Sequence, residues 1–518
     1  MNREGGPRHW WDDKRFLLLV VIIMAIPLLL PQLPPLVDLP GHMARYRVSL
    51  DIASSPPLQD FFSFQWRLIG NLGIDLLVIP LERIFGLELA VKLIVIAIPV
   101  LTASGMIWIA REVHGQIPPT LFFALPLAYG HPFHFGFVNF ALAMALALNA
   151  FALWLRLGRL GRLKLRAQLF VPIGLLLWLC HTFGWATLCV LAFSAELVRD
   201  HDEEGGWYLP FVHAAIQCLS LAPPMLLMLA WRSDQGGGET GDWFKWDIKW
   251  RWLTMILRDR WMDFDKASVA MLVVVLLWAA VARILQFSRM LMLTTAFLCV
   301  TYVLLPRVVF GSAYADMRLT PYMLAFALIA IRPKPGEGSR AFLPVIIASL
   351  LFFGVRIGAT TISFAEHGAR ANQALAALDH VPRGARMISF VRRECGLPWD
   401  TSRMEHLPAM ATVRRHAFTN DQWNMPGGQL LAIKKADAPG FDRDASQLVS
   451  TRRCYREPWR PLSTSLAKFP RDAFDYLWLI DPPAYDLALV QGMTRIWSNG
   501  RDVLYRIDHH AKPGQKPA

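Results

Sequence analysis

The chain has 518 residues, 54% of them hydrophobic and 18% charged, with a formal net charge of +13. So small a charged share, against roughly a quarter in soluble globular proteins, excludes an ordinary water-soluble fold for most of the length. Many basic residues stand in short loops between apolar runs, which excludes nucleic acid as the reason for the positive charge and points to membrane topology.

Apolar runs recur from Phe16 to Phe364, and about 20 helical residues span a hydrocarbon core. In chain order they predict membrane helices near 16–36, 88–110, 118–132, 136–156, 168–182, 183–198, 207–230, 267–286, 290–306, 319–332 and 341–362, about eleven in all. The pair at 168–198 reads equally as one long tilted helix. The first run is long for a cleavable leader and no small-residue cleavage site follows it, so it predicts a retained helix. An odd number of crossings puts the termini on opposite sides.

Positive charge decides which side is which. One set of alternating loops carries Lys14, Arg15, Arg111 and the run Arg156, Arg159, Arg162, Lys164 and Arg166, whereas the opposite short loops hold little beyond Arg307 and Arg318. The positive-inside rule therefore predicts a multi-pass protein of the bacterial inner membrane, with a cytoplasmic N-terminus and a periplasmic C-terminal part. The expected fold class is an α-helical polytopic membrane protein over 1–362 with a soluble α/β domain at 363–518.

Three outer segments follow from this topology: 37–87, 232–266 and 307–318. In the first, Asn71, Asp75, Glu82 and Arg83 would be costly in lipid, so 68–86 reads as an interfacial or re-entrant helix. The second is rich in tryptophan (Trp243, Trp246, Trp250, Trp252, Trp261) mixed with charge, as in segments lying at the headgroups. Past residue 363, apolar stretches at Met387–Val391 and Tyr476–Ile480 predict strands. Asn499-Gly500 between Thr494–Trp497 and Val503–Ile507 predicts a hairpin. Cys395 and Cys454 are the two cysteines of this outer part, and an oxidising compartment makes them a candidate disulfide.

The candidate chemistry lies in the outer loops. Asp38 follows the first helix, with His42 and Arg45 close behind it. A carboxylate there can take a proton from an acceptor hydroxyl or help hold a divalent cation near a phosphate; alternatively it caps a helix, with Gly41 and the prolines as turn residues. Residues 129–139 hold His131 and His134, which read as metal or phosphate contacts or as histidines bonded to nearby carbonyls. Arg307 and Arg318 offer guanidinium forks suited to phosphate, with Asp316 beside them; alternatively Asp316 and Arg318 pair at a helix end. His181 is an ionisable group inside the membrane, either lining a cavity or packing. No Walker loop, nucleophile elbow or zinc-protease motif occurs.

This layout resembles the GT-C class of membrane glycosyltransferases: many spans, Asp38 and His42 just past the first helix, a long outer loop to Leu87 and an outer C-terminal domain. The resemblance implies sugar transfer from a polyprenyl-phosphate-linked donor to a lipid, glycan or protein acceptor, with Asp38 as base and basic outer-loop residues on the donor phosphate. One departure is clear. Many members carry a second acid in the second outer loop, and residues 129–139 contain none, which leaves the need for a divalent cation open. A lipid or solute transporter, or a non-catalytic envelope assembly factor, is the competing reading. Transporters set their polar groups at the midplane, whereas these gather at the outer interface.

Overall fold

A computed structural model describes residues 9–234, 240–309, 311–334, 339–394, 399–425, 429–435, 437–453 and 460–509. The chain is a mostly helical membrane protein that divides into two compact units. One comprises Met1–Leu30, Leu68–Leu77 and Lys92–Ala365; the other comprises Pro31–Arg67, Val78–Val91 and Glu366–Ala518.

In the first unit and its continuations, six helices among the described residues are long and apolar enough to cross a membrane: Leu87–His114, Val138–Arg159, Leu163–Cys180, Thr182–Glu203, Met262–Val281 and Leu343–His380. Tyr208–Leu221 and Pro223–Trp231, bent by 63°, make a seventh if taken as one span. The other expected crossings are shorter helices. The run at 16–36 is broken into Lys14–Ile23 and Ile26–Leu29, and that at 118–132 into Leu121–Ala124 and a 3-10 turn at Leu125–Tyr129. Prolines explain both breaks: Pro27 and Pro31 in one, Pro118, Pro119, Pro126 and Pro132 in the other, each removing a backbone donor. The stretch at 168–198 is two helices, divided at the extended His181, whose Nδ1 accepts from the Phe183 N–H at 3.1 Å.

Small residues allow a close helix contact. A Cβ on Gly184 would lie 2.6 Å from that of Ala143, so Thr182–Glu204 approaches Val138–Arg159 backbone to backbone. At one end of these helices Arg166 is buried rather than solvated, donating to Glu196 at 2.7 Å and lying 4.1 Å over Trp154. Part of the basic loop expected from the sequence is thus committed to an ion pair.

The second unit is organised by a five-stranded sheet in the spatial order Leu448–Val449, Met387–Arg392, Tyr476–Ile480, Val503–Ile507, Met493–Ser498. The first three strands run parallel and the last two pair antiparallel. At the hairpin, the Asn499 side-chain oxygen accepts from Arg501 and Asp502, and Gly500 takes φ +86°, so the Asn-Gly signal has its expected physical cause. Sheet residues Ile388, Phe390, Leu477, Leu479 and Tyr505 share one core with Val48, Leu58, Phe61 and Phe62. Phe62–Phe64 also pairs antiparallel with Leu431–Ile433. Sequence that follows the first helix is thereby built into the same core as the C-terminal strands. At about 1.5–3 kcal/mol for each fully buried large apolar side chain, those four residues hold it firmly.

Cys395 and Cys454, the expected disulfide, lie outside the described residues. Cys180, Cys189, Cys218 and Cys299 are free thiols in helices of the first unit or at their ends.

Candidate functional site

In the second unit Asp38 sits at the N-cap position of the helix Leu39–Asp51, yet its side chain makes no capping hydrogen bond. The carboxylate is thus not spent on the helix end, although the helix dipole favours a negative charge there. One turn on, His42 is partly exposed and Arg45 is 3% exposed. Arg45 Nη1 lies 3.3 Å from His42 Nδ1. A guanidinium can only donate, so His42 Nδ1 accepts, and in that tautomer its Nε2 carries the proton.

The rest of this cluster comes from sequence more than 300 residues away. His406 Nε2 lies 3.9 Å from Asp38 Oδ1, and His406 Nδ1 is 3.2 Å from the Asp421 carbonyl. Trp423 touches both histidines, with ring centroids 4.4 Å from His406 and 5.2 Å from His42. Gly41 makes room for it: a Cβ there would lie 2.6 Å from the far edge of the indole. Gly41→Ala is therefore expected to push Trp423 off its seat and lower turnover about 10-fold or more, read in membrane vesicles against an unchanged protein level.

Below the ring, Asp421 is fully buried and accepts from the Thr419 hydroxyl at 2.5 Å. Burial, with help from the Asp444 charge and against the Thr419 bond, pushes its carboxyl up to about 7. Burial also lowers the basicity of His406, opposed by Asp444. Arg403 closes the cluster by donating to the Pro35 carbonyl at 2.5 Å.

The first unit holds the other candidates. His131 and His134 are each 1% exposed. His131 Nε2 lies 3.3 Å from Arg258 Nη1, and His134 Nδ1 lies 3.6 Å from Asp259 Oδ1. Asp259 also accepts from Ser363 Oγ at 2.8 Å, and its N–H donates to Asp265, which in turn accepts from Arg356 at 2.7 Å. Both histidines thus belong to a buried, charged network.

Asp316 is fully buried, capping Met317 N at 2.9 Å and lying 3.3 Å from Lys249 Nζ, so its ion-pair partner is Lys249. Arg307 pairs with Asp242 at 3.2 Å. Arg318 donates to Ser312 Oγ at 3.0 Å, and its guanidinium carbon lies 4.4, 5.7 and 5.4 Å from the rings of Phe137, Phe140 and Phe183. His181 packs near two of those rings. Among the described residues no group of three or more His, Cys, Asp or Glu has the geometry to hold a metal ion.

No protein-family model matches this chain, and no curated protein does. Among solved structures, ArnT from Cupriavidus metallidurans matches twice, at 12% identity, over 95% of this chain and 97% of that one. The TM-score is 0.50 for its apo state and 0.49 for its form bound to undecaprenyl phosphate. The fold is GT-C-like.

Against that GT-C-like frame the candidates sort into separate groups. Asp38, His42 and Arg45 cluster in one unit; His131 and His134 form a second group, and Arg318 and His181 a third, both in the other unit. The carboxylate beside His134 is Asp259, from the tryptophan-rich segment 232–266 and not from residues 129–139. His406, Asp421 and Trp423 were invisible in the sequence, since no local spacing links them to Asp38.

Proposed function

We propose that this protein is a membrane glycosyltransferase that moves a sugar from a polyprenyl-phosphate-linked donor to an envelope acceptor at the outer face of the bacterial inner membrane. The observation that carries the reading is Asp38: a partly exposed carboxylate at a helix N-terminus, without a capping bond, with His406 3.9 Å away and Trp423 packed on both His406 and His42. A group so placed can act as general base. Asp38 takes the proton of an acceptor hydroxyl, the acceptor oxygen bonds to the anomeric carbon, and the donor leaves as polyprenyl phosphate. ArnT itself binds undecaprenyl phosphate, and the proposed donor is of that chemical class.

Arg318 is the proposed contact for the departing phosphate. Its guanidinium is held by aromatic rings and Ser312, with Arg307 and His181 as further donor contacts. Such preorganised charge stabilises a leaving anion without reorganisation. Arg318→Ala is expected to lower kcat/KM about 10²–10³-fold. Arg318→Lys should recover only part of that, because an ammonium keeps the charge but lacks the fork. Turnover in membrane vesicles measures both.

The finer topology belongs to the same proposal: about eleven crossings, a cytoplasmic N-terminus and a periplasmic α/β domain over 363–518. The transport reading differs in depth. Single-cysteine variants at Asp38 and Arg318 should react with a membrane-impermeant thiol reagent from the periplasmic side, as outer-interface positions do. Labelling only at mid-bilayer depth would favour a transporter instead.

A further inference from the structure

We infer that His406 is the proton partner of Asp38: its imidazole Nε2 receives the proton that Asp38 removes from the acceptor. The inference rests on the reading of Asp38 as general base and adds a residue from the far end of the chain. Its basis is geometry. A carbonyl oxygen has no proton to give, so the 3.2 Å contact with the Asp421 carbonyl requires Nδ1 of His406 to carry the hydrogen. Nε2, the lone-pair nitrogen of the neutral ring, then faces Asp38 Oδ1 at 3.9 Å. That gap is too long for a hydrogen bond and suits two acceptors facing each other. Once Asp38 holds a proton the repulsion becomes attraction, and the contact can close.

The ring is held for this task. Trp423 packs against it, Gly41 accepts the edge of the indole, and the Asp421 carbonyl fixes the tautomer. Orientation of a base by a fixed partner is the logic of the catalytic triad, here with the carboxylate outermost. The charged groups around the imidazole are Asp38, with His42 and Arg45 following on its helix, and Asp444, while Asp421 meets the ring through its backbone carbonyl. Arg403 and Glu405 lie on its own segment. Burial keeps the ring neutral and able to accept. The steps balance: the acceptor O–H proton passes to Asp38 and then to His406 Nε2. The bond between the anomeric carbon and the phosphate oxygen breaks with its electron pair on the leaving polyprenyl phosphate. The resulting imidazolium is paired with a carboxylate, which lowers the energy of the proton-transferred state.

Two measurements on the full chain test this. The first leaves His406 intact: ¹⁵N-histidine NMR of the detergent-solubilised protein, with the His406 signal assigned by its loss in His406→Gln. Asp38→Asn should lower the titration midpoint of His406 by about one pH unit, the usual effect of removing a neighbouring carboxylate. An unchanged midpoint overturns the inference.

The second is turnover of the lipid extract of a deletion strain by membrane vesicles carrying wild type, Asp38→Asn, His406→Gln or His406→Ala. Both His406 variants should lose about 10–10²-fold in kcat with KM little changed. Their acid limb should move to lower pH, because protonation of His406 no longer blocks the relay. If Asp38→Asn is inactive while the His406 variants keep wild-type kcat and pH profile, His406 is no proton partner and the base assignment survives. A fully active Asp38→Asn removes both.

Discussion

Asp38→Asn is expected to lower transfer by about 10³-fold, within the usual range for removing a general base, while insertion and thermal stability stay unchanged. The separation of the two effects is the point. Asn has the shape of Asp but cannot take a proton at neutral pH. Were Asp38 simply a helix cap, Asn would serve equally well and nothing would change, since both residues cap strongly. The side chain makes no capping bond, so the helix Leu39–Asp51 loses only the small dipole contribution, about 0.3–1 kcal/mol, with the charge; Pro40 in its first turn and the burial of Leu39, Met43, Ala44, Tyr46 and Val48 hold it instead. Turnover and melting temperature of the same vesicle preparations check both halves, and wild-type turnover would remove Asp38 from the mechanism.

The largest stability effect should come from Arg356. Its guanidinium is 2% exposed, donating to Asp265 Oδ1 at 2.7 Å and to the Leu257 carbonyl at 3.0 Å, with the Phe264 ring 4.8 Å away. Arg356→Met removes one charge and takes from the buried Asp265, 1% exposed, its Arg356 counter-charge. Breaking such a pair costs about 3–5 kcal/mol. The double variant Arg356→Met with Asp265→Asn should recover most of that. It removes both charges of the pair together, and the Asn oxygen still accepts the Asp259 N–H that Asp265 holds at 2.9 Å. Melting curves in detergent compare the three. Equal losses in the single and double variants would mean that charge is not what the site is built around.

Long apolar runs without interior prolines became helices close to where they were expected, as at Val138–Arg159 and Met262–Val281. Runs with several prolines, at 16–36 and 118–132, did not, because hydropathy counts apolar residues while helix continuity depends on backbone donors. The strands at Met387–Arg392 and Tyr476–Ile480 and the hairpin at Asn499-Gly500 were legible from local pattern. The candidate site was legible only in part. Asp38 declares itself by standing just past the first apolar run, but its neighbours His406 and Trp423 are brought in by tertiary packing, for which no periodicity exists. His131 and His134 stood out as residues, yet their partners Arg258 and Asp259 belong to a segment read only for its tryptophans.

On the proposed function a lipid-linked sugar is consumed by this protein. Lipid mass spectrometry of a strain deleted for it tests that without knowing the sugar or the acceptor beforehand. The expected result is an accumulated polyprenyl-phosphate sugar, cleared on complementation with the wild-type chain and retained with Asp38→Asn. A lipid pool and envelope glycans identical to the parent strain would contradict it.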